Sequence, residues 1–286
     1  MSFESKSLAS LVRCLVALLA VLSCVVCSLP WREAFFYPTV EQRVSESLAM
    51  LAENPVEPPD LDPERFRFAL FGDPHVGKTD FHRLDRFREE IGARGIDFVC
   101  VVGDLTDNGI EPEVLLTREL FDSFGVPVYA VPGNHDLWSA GGWELFKDHF
   151  GPGNKSFRAG PVRVILFDTS CGTVGPTQFE WLEQELARPE AIKVIGAHYP
   201  LYTTEFAGIS RLPSEAERYR LSALLRDAGA WGLVSGHIHG FELKESAGVR
   251  YFVCGAMRQK MSFGPPGYLL LTFESDSLSW EFVPLD

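Results

Sequence analysis

The sequence predicts an α/β fold in which two mixed β-sheets pack as a sandwich flanked by helices, and three observations carry that prediction. From about residue 65 to 240, short apolar runs alternate with helical patterns, the signature of parallel strands joined by helical crossovers. After Gly240 the helical patterns stop, and four strand-like runs follow one another with short turns, which predicts a further mixed or antiparallel set at the C-terminus. With 46% hydrophobic and 12% aromatic residues in 286, the chain has enough apolar surface to bury a sizeable core.

Taken in order, residues 38–54 read as a helix, and residues 55–63 (PVEPPDLDP) are too rich in proline to continue it. A domain begins near Arg65 with the strand FRFALF and the helix FHRLDRFREEIGARG. The pairs IDFVCVVG and EVLLTRELFDSFG, then VPVYAVPG and GWELFKDHF, repeat the pattern. It continues through VRVILFD, QFEWLEQELA, AIKVIGAH, SEAERYRLSALLRDAG and AWGLVSGHIHG. The closing strands are FELKES, VRYFVCGAM, GYLLLTFES and SLSWEFVPL. The organisation expected is a membrane-directed segment over residues 1–30, a juxtamembrane helix and Pro-rich linker over 31–64, and one folded domain over 65–286.

Residues 14–29 (CLVALLAVLSCVVCSL) are almost wholly apolar, with Lys6 and Arg13 before them and Trp31, Phe35, Phe36 and Tyr37 after. Counted from Leu8, about 22 residues or roughly 33 Å of helix could span a bilayer as a retained anchor. Cleavage after Ser28 as a signal peptide and lipidation at Cys24 are the competing readings. In each, the cationic end stays cytosolic and the rest of the chain is membrane-anchored on the non-cytosolic side, or exported. Cys100, Cys171 and Cys254 remain for the body, an odd number read as structural thiols rather than a disulfide framework. A formal net charge of -13 excludes nonspecific nucleic-acid binding by bulk charge.

Five of the seven histidines sit where strands end. The first strand ends in Asp73-Pro74-His75, the second in Gly103-Asp104-Leu105-Thr106-Asp107, and the third in Gly133-Asn134-His135-Asp136. Later strands end in His198-Tyr199-Pro200 and Gly236-His237-Ile238-His239. In open α/β sheets the ligand site lies beyond the carboxyl ends of the strands, so these residues are expected to converge. Each cluster alone reads as turn chemistry; five in order do not. On a strand, His237 and His239 would project to the same face.

The set D-x-H, G-D-x-x-D, G-N-H-D, H and G-H-x-H resembles the calcineurin-like metallophosphoesterase superfamily over roughly residues 66 to 284. The resemblance implies that family's two-sheet αββα sandwich and a catalytic domain over 65–286. It implies that Asp73, His75 and His239 hold one divalent transition metal ion, that Asn134, His198 and His237 hold a second, and that Asp104 bridges them. Such a donor set suits Mn, Fe or Zn without choosing among them. The activity implied is hydrolysis of a small-molecule phosphomonoester or phosphodiester by a metal-activated hydroxide, with His135 as general acid to the leaving group and Asp107 orienting His135. Asp136 reads as a turn or supporting residue.

Two other readings compete with this one. Residues 72–79 (GDPHVGKT) match the phosphate-binding pattern G-x-x-x-x-G-K-[ST] of P-loop NTPases, but Pro74 removes a backbone donor and Asp73 puts a carboxylate where phosphate oxygens would lie. A metal-supported interaction domain without turnover would keep the fold but have no need of His135. His82 and His149 fall on helical stretches and read as surface or packing residues. Specificity is expected from the loops around residues 202–213 and 257–266; Arg211, Arg258 and Lys260 there could meet a substrate phosphate or sugar, but solvated surface is the favoured reading for all three.

Overall fold

A computed structural model describes residues 37–77, 81–203, 210–257 and 264–285. The membrane-directed run, Arg258 and Lys260 lie outside the described residues. None of the described helices is long and apolar enough to cross a membrane.

One five-stranded sheet is built from β1 (Arg65–Phe71), β2 (Phe98–Val102) and β3 (Val128–Val131), joined by α2 (His82–Arg94) and α3 (Glu111–Asp122). These three strands are parallel. The second, six-stranded sheet takes β4 (Lys155–Ala159), β5 (Val162–Phe167), β6 (Ile192–Ala197) and β7 (Gly232–Ser235), with α5 (Pro176–Leu186) and α6 (Glu215–Asp227) as crossovers. A short helix, α4 (Gly142–Phe150), leads from the first sheet into the second. The last four strands are β8 (Glu242–Ser246), β9 (Val249–Val253), β10 (Gly267–Glu274) and β11 (Ser277–Pro284).

The two-sheet sandwich expected from the sequence is present, but its strands are divided differently. The C-terminal strands do not form a set of their own. β9 pairs in parallel with β7 and β8 closes that sheet antiparallel, whereas β10 pairs antiparallel with β1 and β11 lies outside β10. Each sheet therefore has a parallel centre made early in the chain and an edge hairpin made late. The orders are β11-β10-β1-β2-β3 and β4-β5-β6-β7-β9-β8.

Strand alternation explains the layers. Phe66, Phe68 and Leu70 of β1 meet Val162, Val164 and Leu166 of β5 in a core between the sheets. Ala69 and Phe71 face the other way, against Leu84, Phe87 and Ile91 of α2. Ile165 and Phe167 likewise face Leu182, Leu221 and Leu225. Because both faces are covered, the strands read as unbroken apolar runs.

The helix expected over residues 38–54 forms as α1 (Val40–Glu53), but it is not a linker helix outside the domain. The compact unit starts at Val40. The Arg43 guanidinium, fully buried, donates through Nε to Asp168 Oδ2 at 2.8 Å and through a terminal nitrogen to Ser170 Oγ at 3.3 Å. Glu46 accepts from Trp143 Nε1 and Lys147 Nζ, both at 2.8 Å. These bonds place the start of the folded unit about 25 residues before the boundary expected at Arg65.

Candidate metal centre

The strand-end clusters converge beyond the carboxyl ends of β1, β2, β3, β6 and β7, and local backbone strain aims them. Asp73, His75, Asp104, His237 and His239 all adopt positive φ, between 46° and 74°, a region costly for residues with a Cβ. The Gly-His-Ile-His segment is therefore not strand. It lies beyond the end of β7 in left-handed steps, with Ile238 buried between two histidines that serve different clusters. The same-face reading of His237 and His239 is corrected by that geometry.

Asp73, His75, Asp104 and His239 offer donor atoms within 4.8 Å of one another, and so do Asp104, His198 and His237. Asp104 belongs to both sets through different oxygens: Oδ2 lies 3.5 Å from His75 Nε2 and Oδ1 lies 3.4 Å from His198 Nε2. Asn134 Oδ1 lies 3.0 Å from His198 Nε2, and His237 Nδ1 lies 3.2 Å from the same nitrogen. In the other set, His75 Nε2 and His239 Nε2 are 3.0 Å apart, and His239 Nε2 is 3.5 Å from Asp73 Oδ1.

This donor chemistry fits two cations. An imidazole nitrogen carries at most one proton, so His198 Nε2 cannot serve Asn134, His237 and Asp104 with hydrogen bonds at once. A cation at the common focus can. His198 Nδ1 lies 3.0 Å from the Val102 carbonyl; since a carbonyl only accepts, Nδ1 carries the proton and Nε2 is left as the ligand atom. His75 Nδ1 lies 3.3 Å from Asp107 Oδ1, a carboxylate–imidazole pair of the kind that orients metal-binding histidines.

Among the protein groups alone the carboxylates are held ionised and His198 is held as the imidazolium, so a bound cation would have to displace the proton from His198 Nε2. Burial pushes the Asp73 and Asp104 carboxyls up, but His239 and His198 outweigh it for Asp73, and His198 and His75 hold Asp104 well below the usual carboxylate range. Burial pulls His198 down, yet Asp104 and then Asp73 outweigh it and raise the group to about 9. Burial and the His198 charge press His237 down to about 3.

His135 sits beside the first set with its ring edge-on to His75, centroids 4.6 Å apart at 87°. Its Nδ1 is 2.8 Å from the main-chain carbonyl of Asp107, which leaves Nε2 for proton exchange. Asp107 thus meets His135 through its backbone, whereas its carboxylate meets His75. Donor atoms of His75, Asp107 and His135 lie within 4.8 Å of one another.

Asp136 is fully supporting. Its Oδ1 accepts from Thr106 N and Thr106 Oγ1, both at 2.9 Å, and its Oδ2 from Leu105 N at 3.1 Å and Gly133 N at 2.8 Å. It ties the Asp104 loop to the Gly133 loop, and burial with the Asp104 charge raises its carboxyl to about 6. Close approach requires glycine at two points. A Cβ on Gly103 (φ +90°) would come 2.5 Å from His198 Nδ1, and one on Gly133 would strike the Asp104 main chain and Oδ1.

The phosphate-loop reading of residues 72–79 fails on its donors. Asp73 N donates to the Gly103 carbonyl, His75 N to Asp104 and Val76 N to Leu105, so these amides are engaged by the neighbouring loop. Lys78 and Thr79 lie outside the described residues. His82 and His149 take no part in the clusters. Trp138 has no place in the motif pattern, yet its indole stacks on His135 at 3.8 Å between centroids; an aromatic residue shortly after Gly-Asn-His-Asp is the one signal that could have marked it.

Fold and site together define a metallophosphoesterase architecture. The calcineurin-like phosphoesterase family profile matches residues 66–241, more than half of the chain, and the chain belongs to that family. It is 28% identical over 157 residues to a probable glycerophosphodiester phosphodiesterase of Arcobacter nitrofigilis, covering 50% of this chain and 56% of that protein. It is 26% identical over 175 residues to a 3',5'-cyclic-nucleotide phosphodiesterase of a Nostoc species, covering 59% of this chain and 64% of the relative. The alignments thus span less than two thirds of either relative. Among solved structures, the purple acid phosphatase PPD1 from yellow lupin seeds shares the fold at a TM-score of 0.66 and 17% identity, covering 79% of this chain and 53% of that one.

Proposed function

We propose that this chain hydrolyses phosphodiesters with two divalent cations held by Asp73, His75 and His239 on one side and Asn134, His198 and His237 on the other, bridged by Asp104. The observation that carries the reading is Asp104 itself, whose two carboxylate oxygens face two separate imidazole sets. The relatives' names favour diesters over monoesters as the finer assignment. When bound, a pair of divalent cations supplies positive charge to the phosphoryl oxygens and lowers the pKa of a water toward neutrality.

The chain's own groups do the rest. The Val102 carbonyl holds the His198 ring so that Nε2 faces the cluster, and the Asp107 carboxylate lies 3.3 Å from His75 Nδ1, on the side of that ring away from the cluster. His135 keeps a proton on Nδ1 against the Asp107 carbonyl and exchanges a proton at Nε2, where it serves the departing oxygen. Burial lowers its pKa, against the opposing pull of Asp104. A lowered pKa makes the protonated form a stronger acid toward the departing oxygen.

The test is a hydrolysis screen with Mn, Fe and Zn supplied separately, comparing aryl and alkyl diesters with the matching monoesters. Diester turnover should exceed monoester turnover. His135→Ala should lower kcat on the alkyl diester about 100-fold while elemental analysis still finds two metals per chain. Negligible turnover of every ester with both metals bound would transfer the assignment to a non-catalytic interaction domain.

A further inference from the structure

Resting on the phosphoesterase reading, we propose that Trp138 is the positioning residue of His135: its indole wall fixes the imidazole plane so that Nε2 stays directed at the leaving group. Trp138 directly follows the short 3-10 turn His135–Leu137, and its N–H bonds the His135 carbonyl at 3.2 Å. It keeps 45% of its surface in solvent, where a large apolar side chain gains little from burial. Its ring is nevertheless laid on the imidazole, with centroids 3.8 Å apart and planes 29° from parallel.

The other restraints on His135 leave one motion open. The Asp107 carbonyl holds Nδ1 at 2.8 Å, and the His135 main-chain N–H is held by Asp104 Oδ1 at 2.8 Å. His75 stands perpendicular to the ring at 4.6 Å. A single hydrogen bond at Nδ1 fixes a point and still permits the ring to swing about it, since the terminal torsion of histidine is broad. A flat wall against the ring face closes that swing. The wall is itself anchored, because Ser139 Oγ, on the next residue, donates to the Gly109 carbonyl at 2.5 Å.

A proton donor matters only in proportion to how badly the leaving oxygen needs the proton. The comparison is therefore between an alkyl phosphodiester, whose alkoxide leaves poorly, and the nitrophenyl diester, whose phenolate leaves readily. Trp138→Ala should lower kcat on the alkyl ester about 10-fold more than on the nitrophenyl ester, as a misplaced catalytic group does. Trp138→Phe, which keeps a stacked ring, should recover most of that loss. A second readout needs neither metal nor turnover. In the metal-free protein the stacked indole should shift the His135 ring-proton resonances upfield, with His135→Gln assigning them, and Trp138→Ala should return them to ordinary positions.

Equal losses on both esters, a change in KM alone, or His135 resonances that do not move in Trp138→Ala would overturn the inference. If His135→Ala discriminates between the esters and Trp138→Ala does not, this inference falls and the phosphoesterase reading stands. A metal-loaded wild type that turns over neither ester removes the reading and the inference together.

Discussion

At the scale of single residues, the centre is held by conformations that a sequence does not display. Asp73, His75, Asp104, His237 and His239 are all left-handed, and such strain persists only where surrounding bonds over-determine it. Asp136 is one such determinant, because its two oxygens take four donors from the loops carrying Asp104 and Asn134. An amide offers one oxygen and turns two donors toward the other pair, so Asp136→Asn leaves buried N–H groups unpaired at about 1–3 kcal/mol each. We expect this variant to lose about 2–4 kcal/mol of stability in denaturant titration at pH 7. An unchanged midpoint would mean that these loops do not depend on Asp136.

At the scale of elements, alternation of pattern was a sound guide to which segments are strands and which are helices, but not to partners. The strand Lys155–Ala159 is not marked by an apolar alternation, because its inward residues are Lys155, Phe157 and Ala159. A lysine at an inward position breaks the expected apolar alternation. Lys155 is tolerated there because its Nζ donates to the carbonyls of Ala130, at 2.6 Å, and Pro152; burial lowers its pKa to about 7. Helix α1 was legible as a helix but not as part of the body, since its docking rests on bonds to residues about 100 or more positions away, among them the buried ion pair between Arg43 and Asp168, 125 positions apart. Removing one partner of such a pair strands the other, so Arg43→Ala should destabilise the chain by about 3–5 kcal/mol and deprotect the amides of residues 40–53 in hydrogen exchange. Wild-type protection of those amides would show that the helix is held by something else.

At the scale of the whole molecule, the proposed centre lies across both sheets. Asp73, Asp104 and Asn134 follow strands of the first sheet, and His198, His237 and His239 follow strands of the second. The two halves touch there directly, the His237 N–H meeting both oxygens of Asp73 at 3.0 Å. Ions bound at that seam stabilise the folded state by mass action, about 2.7 kcal/mol per site at a hundredfold excess over Kd. Thermal melts should therefore fall on chelation and recover on adding Mn or Zn. His237→Ala should recover less than wild type. Melts that ignore metal would argue against a centre linking the sheets.

What the sequence determined by itself was the chemistry and its location along the chain: carboxylates, imidazoles and an amide at the ends of apolar runs, in an order that resembles one family. That was legible because a strand end is marked locally, by the loss of apolar pattern and the arrival of Gly, Asp or His. Only the tertiary structure decided which strands share a sheet, that Asp104 faces both imidazole sets, that Asp107 serves His75 with its carboxylate and His135 with its carbonyl, and that Trp138 lies on the His135 ring. Those are relations between side chains and main-chain groups brought together by packing, and local residue patterns carry no record of the distances that packing creates.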